Sequence, residues 1–143
     1  MKYFTEMENT MEEMRIIVKG IVKYQDKYLL IQKWYDDRID EPYQWEFIDG
    51  KINEGESPDD AVREIVFENT SLEVKPEKIL YTWDYEVGKT AYVGLAFLCT
   101  AENDMVILSE DLNGYMWVTT EEFKDYIQNP RILNDINKVF KID

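Results

Sequence analysis

The segment GKINEGESPDDAVREIVFENTSLEV, Gly50 to Val74, gathers the residues best suited to chemistry. Glu64 and Glu68 are four residues apart, so on a helix they share one face. At about 100° per residue, Ala61, Val62, Ile65 and Val66 form an apolar arc, and both glutamates lie beside its Ala61 edge. Carboxylates at the rim of a buried face can point together into a cleft, where a cation makes their repulsion tolerable. The same pair also reads as a solvated acidic stripe. The helix is signalled independently: Ser57 is an N-cap, Pro58 takes the first helical position, and Asp60 stands where a capping box places an acid. It is expected from Pro58 to Thr70.

Composition narrows that chemistry. The 143 residues include no histidine, which removes the commonest general base and the usual zinc ligand. Carboxylates favour hard cations, Mg²⁺ or Mn²⁺. The net charge of −14 argues against a nucleic-acid partner, which demands a basic surface. An anionic small molecule stays admissible beside a bound cation. Cys99 is the only cysteine, so there is no internal disulfide. No apolar run approaches the ~18–20 residues of a membrane span. The N-terminal MKYFTEMENTMEEM lacks the apolar core of a secretory signal. A cytoplasmic protein without a membrane partner is the expectation.

The elements that must position these residues form one domain, 1–143, with residues 1–13 as a polar N-terminal extension. MRIIVKGIVKY and KYLLIQKW read as strands around a Gln25-Asp26 turn. YDDRIDEPYQ is a loop, and WEFIDG leads into the glutamate-bearing segment. KILYTWDYE and TAYVGLAFLCTAE read as a hairpin about Val87-Gly88-Lys89, with MVILS and YMWVT as shorter strands. Thr119 and Glu122 make a second capping box, for a helix EEFKDYIQ. Asn129-Pro130 starts a last helix with Ile132, Leu133, Ile136, Val139 and Phe140 on one face. This order predicts an α/β layer fold, a mixed sheet flanked by helices.

WEFIDGKINEGESP, AVREI and SEDLNGYMWVTTEEF resemble the Nudix hydrolase family, whose box reads G-x5-E-x7-R-E-U-x-E-E-x-G-U, with U bulky and apolar. The resemblance covers most of the domain. It implies an α/β/α sandwich with a mixed β-sheet, the box forming loop–helix–loop. Trp45, Gly50, Gly55 and Glu56 are in register. Ile48-Asp49 replaces the family's Pro-Gly, and Asp49 reads as a substitute metal ligand or as a turn residue. Without gaps, Glu64 takes the Arg position, Ile65 the next Glu, Glu68-Asn69 the Glu pair and Ser71 the Gly. Ala61, Val62, Val66, Thr70 and Leu72 then take core-facing positions. A second register equates Ala61–Ile65 with the family's A-V-R-E-U and makes Glu64 the expected Glu, at the cost of two compensating indels. Both registers retain Glu56 and put Glu68 on a metal-ligand position.

The resemblance implies a hydrolase that cleaves the pyrophosphate of a nucleoside diphosphate linked to another moiety, by divalent-metal-assisted water attack. The implied metal positions are Glu56, Glu68, Glu64 and Gly50, for Mg²⁺ or Mn²⁺. The base is Glu64 in the second register. In the gap-free one it comes from a late loop, at Glu110 or Asp111, which also reads as an ordinary polar turn. Trp34, Tyr35, Tyr43 and Trp83 are aromatics that could face a nucleotide-like substrate. Lys33, Arg38 and Lys51 are the nearest cations, each also readable as a surface charge. Of these, Trp34, Tyr35 and Lys51 are the candidate substrate contacts. Phe67, on the polar side of the helix, reads as packing under the N-terminal extension, as a homodimer contact, or as an ordinary exposed apolar residue. The alternative is a catalytically degenerate Nudix-fold nucleotide-binding or regulatory module, which Ile65 and Asn69 favour.

Overall fold

The structure, a computed structural model, describes residues 13–34 and 43–140. Tyr35, Arg38 and all but the last residue of the N-terminal extension lie outside them. Strand β1 (Glu13–Tyr24) turns at Gln25, which adopts a φ of 56°, into β2 (Lys27–Lys33). Two short strands follow, β3 (Trp45–Glu46) and β4 (Ile48–Lys51), and then helix α1 (Pro58–Thr70). A long hairpin of β5 (Val74–Val87) and β6 (Thr90–Ala101) leads to β7 (Leu112–Val118). The chain ends in a 3₁₀ turn (Thr120–Glu122) and helices α2 (Phe123–Tyr126) and α3 (Pro130–Phe140).

All seven strands join one sheet in the order β3-β2-β1-β6-β5, with β4 also paired to β1 and β7 to β2. β1 and β6 run parallel, and the other pairings are antiparallel. The predicted mixed sheet is therefore present. Side chains alternate across a strand, so β1 serves both faces and reads as a nearly continuous apolar run. Val18 and Val22 pack with Ala61, Val62 and Val66 of α1. Ile21 packs on the opposite side with Tyr28, Phe47, Phe123 and Ile136. At Gly20 a Cβ would come within 2.8 Å of the Val66 side chain. The missing side chain lets α1 seat directly on the sheet.

Helix α1 has the predicted limits. Ser57 Oγ accepts from the Asp60 N–H at 3.3 Å. At the other end Ser71 takes a φ of 61° and returns its N–H to the Phe67 carbonyl, an αL cap. Two sequence expectations change. MVILS forms no strand. The Ile107 N–H donates to Thr70 O at 2.9 Å and the Ser109 N–H to Asn69 O at 3.0 Å. The last carbonyls of a helix lack partners within it, and this extended segment satisfies two of them. Its alternation survives, with Val106 and Leu108 packed inward and Met105 and Ile107 exposed. EEFKDYIQ shortens to the 3₁₀ turn and α2. Its capping box does form, with the Thr119 N–H donating to Glu122 Oε1 at 2.9 Å. No described helix is long and apolar enough to cross a membrane.

Candidate active site

The β4–α1 loop turns at Gly55, whose φ is 81°, and carries Glu56 to the helix. Glu56 Oε1 accepts from the Asn53 N–H at 3.2 Å, which fixes the loop end. Glu64 lies within hydrogen-bonding reach of both Glu56 and Glu68. Its carboxyl is held above the usual range, first by the hydrogen bond and charge of Glu56, then by those of Glu68. No cation relieves this repulsion from within the helix, because Arg63 turns to Asp60 at 3.6 Å. Among the described residues no group of three or more acids, histidines or cysteines is arranged to hold a metal ion, and Glu56, Glu64 and Glu68 do not converge as one. An all-oxygen donor set with uncompensated charge fits a hard divalent cation.

The backbone of α1 follows the gap-free register. Ala61, Val62, Val66 and Thr70 are fully buried, Leu72 nearly so, and Ser71 holds the left-handed conformation at the box glycine position. Ile65 fills the space above Gly50, where a Cβ would lie 2.8 Å from Ile65 Cδ1. Asn69 acts as a brace: its Nδ2 donates to Ile65 O at 2.8 Å, and its Oδ1 accepts from Ser109 Oγ at 3.3 Å. That contact draws the late loop to the end of α1. Beside it, Trp34 Nε1 donates to Glu110 O at 3.0 Å. Trp34 and Glu110 are thus brought together, with both side chains exposed. Asp111 is likewise exposed, at the foot of β7.

The other face of the sheet holds a cleft of about 250 Å³ lined by Lys19, Lys33, Glu46, Asp49, Trp83 and Tyr85, among others. Asp49 is not in a turn. It sits in β4 opposite Lys19, and its Oδ1 accepts from Lys33 Nζ at 3.4 Å, so it faces away from the side of Gly50 that Ile65 covers. Lys33 also meets Glu46 at 2.7 Å and is no isolated surface charge. Burial pulls the Lys33 ammonium downward, but Asp49 and then Glu46 outweigh it and hold its pKa above the ordinary value. Burial pushes Glu46 upward against the pull of Lys33. The short contact favours the charged pair.

Lys19, unremarked among the candidates, is only 5% exposed. Its Nζ lies 3.5 Å from Tyr81 Oη and 4.3 Å from the Trp83 ring centre. Burial lowers its pKa against the opposing pull of Asp49, Glu46 and Asp135. The signal was present in the sequence as a lysine inside the apolar run IIVKGIV. Trp83, one of the sequence candidates, lines this cleft, whereas Lys51 is exposed in a separate hollow with Glu13 and Met14. Tyr43 is half-exposed, its carbonyl accepting from Gln32 Nε2 at 2.7 Å. Phe67, 49% exposed, lines a groove of about 460 Å³ with Arg63, Val74 and Lys75. Cys99 is buried and its thiol is pushed up to about 12 by burial, which removes it as a nucleophile.

The family model described as NUDIX domain matches residues 14–137. The chain is 27% identical over 126 residues to the nucleoside triphosphatase NudI of Escherichia fergusonii, a match covering 80% of this chain and 89% of that protein. NudI of Escherichia coli O139:H28 gives the same identity and coverage. Among solved structures, the MutT protein from Methanosarcina mazei Go1 superposes with a TM-score of 0.75 at 23% identity, covering 90% of this chain and 94% of that one. The E. coli ORF135 protein gives 0.73 at 20%, covering 93% and 91%. These two likenesses are likenesses of fold.

Proposed function

The chain belongs to the Nudix family, its NUDIX match running through residues 14–137, and from that premise we propose that it hydrolyses the pyrophosphate of a nucleoside diphosphate linked to another moiety. The observation that carries this reading is the placement of Glu64 on α1 within reach of Glu56 on one side and Glu68 on the other. Those carboxylates, with the Gly50 backbone, would hold Mg²⁺ or Mn²⁺. Such an ion supplies neutralisation of phosphate charge and acidification of bound water. Glu110, on the loop braced by Asn69 and Ser109, is the base that takes the water proton. The cleft lined in part by Trp83 and Tyr85 receives the nucleoside. Lys33, held by Glu46 and Asp49, lines the same cleft.

Phosphate release should be measured on nucleoside triphosphates, ADP-ribose, NAD, dinucleoside polyphosphates and sugar nucleotides, with Mg²⁺ or Mn²⁺. The triphosphates come first because the sequence relatives are named nucleoside triphosphatases. Turnover is expected for at least one compound, and Glu68→Gln should abolish both turnover and divalent-ion binding while the fold survives. Unchanged metal affinity in that variant would remove the site. One observation favours a second reading: Ile65 covers Gly50 and Asn69 is committed to Ser109. Nucleotide binding without turnover of any compound would select the degenerate binding module.

A further inference from the structure

Lys19 carries a buried charge with no carboxylate of its own. No ion pair of Lys19 forms among the described residues, because Glu46 and Asp49 are engaged by Lys33. Asp135 acts on it only through space. Its one hydrogen bond, to Tyr81, is long at 3.5 Å. An ammonium offers three donors and no acceptor; the long contact to Tyr81 and the Trp83 ring at 4.3 Å compensate it only in part, and a buried charge without a strong acceptor is costly. On the same face of β1, Ile17 and Ile21 are apolar, so packing alone does not call for a lysine there. An acceptor brought by a ligand would meet the need.

The cleft indicates which acceptor. Its walls include Trp83, whose ring Lys19 Nζ caps at 4.3 Å, and Tyr85, which stacks on Tyr92, aromatic surfaces beside which a planar ligand can lie. Its charges balance: Lys19, Lys33 and Arg131 face Glu46, Asp49 and Asp135. The cleft therefore exerts no net pull on a further anion, and a neutral carbonyl oxygen fits Lys19 better than a phosphate does. Asp135 of α3 lines the same cleft without touching Lys19, and its carboxylate can accept a ring N–H. Donor and acceptor together complement the O=C–N–H edge of uracil, thymine or guanine. Against cytosine or adenine, the ammonium would meet an exocyclic amino group, donor against donor, and Asp135 would meet an unprotonated ring nitrogen.

We propose that Lys19 and Asp135 are specificity-determining residues that select oxo-bearing bases over amino-bearing ones. The assignment takes from the preceding section only that the cleft receives the base. The full chain should first be titrated calorimetrically, without metal, with UMP, CMP, GMP and AMP. UMP is expected to bind about tenfold or more tighter than CMP, and GMP than AMP. Lys19→Met, close in shape and free of the buried charge, should bring both ratios to about one while keeping a melting temperature at or above that of the wild type. Asp135→Ala, on the helix and away from the sheet centre, should narrow the same ratios and gives a second variant if the first fails to fold. The ratio of kcat/KM for UTP and CTP with Mn²⁺ should move in parallel. Equal binding of oxo and amino bases, a preference that survives both substitutions, or no binding of any of the four overturns the proposal. A base preference without hydrolysis would instead refute the catalytic reading and leave this one standing.

Discussion

At the residue scale, the acidic cluster carries its own cost. Glu64 is solvent-facing, yet its carboxyl is pushed up by Glu56 and Glu68. A carboxyl whose folded pKa is raised adds stability below its unfolded pKa and loses it as pH rises through the folded one. At neutral pH the charged Glu64 therefore works against the fold. Glu64→Gln should raise the melting temperature in chelator and shrink the shift produced by added Mg²⁺. Thermal denaturation with and without the ion reads both effects. A variant that melts lower in chelator and keeps the full Mg²⁺ shift would show that the cluster is a solvated stripe.

At the element scale, two sites depend on how strands and caps hold their residues. Trp83 of β5 stands across from Gly94 of β6, and a Cβ on Gly94 would collide with the rigid indole. Gly94→Ala should displace Trp83 from the cleft and cost about 1–3 kcal/mol, the usual penalty of overpacking. Chemical denaturation measures the loss, and indole fluorescence reports the displacement. The capping box before α2 gives a prediction with a pH sign. The Glu122 carboxyl is held below its usual value by the backbone N–H of Thr119, with help from the hydroxyl. A carboxyl with a depressed folded pKa adds stability above its unfolded pKa of about 4.3 and loses it as pH falls through the folded one. Glu122→Gln should thus lower the melting temperature at pH 7, and the gap should close in more acidic buffer.

At the scale of the whole molecule, a net charge of −14 on 143 residues means that self-repulsion opposes compaction. Screening should relieve it, so NaCl should raise the melting temperature. Mg²⁺ at matched ionic strength should raise it further, because a bound ion stabilises the folded state by mass action as well as by screening. Identical curves for the two salts would count against a metal site on α1. Glu64→Gln gives the internal control, since it changes the net charge by one and the cluster by a third.

The local elements were legible because their signals act over a few residues. Ser57 and Pro58 set the start of α1, Thr119 and Glu122 made their box, and apolar runs bounded by turn residues marked the long strands. The apolar arc on α1 also located the Glu64–Glu68 face without any knowledge of the sheet. What lies across from a residue was not legible, because it depends on chain that is distant in sequence. MVILS has the alternation of a strand, but the free carbonyls of α1 receive its N–H groups. Asp49 looked like a turn or ligand residue until β4 paired with β1 and turned it toward Lys33. Lys19 lies in an apolar strand, and nothing adjacent to it in sequence marks a role. Only the parallel pairing of β1 with β6, which brings β5 and its Trp83 alongside, makes it the buried donor of a cleft. Periodicity assigns a side chain to one of two faces, while the partner on that face is decided by the fold.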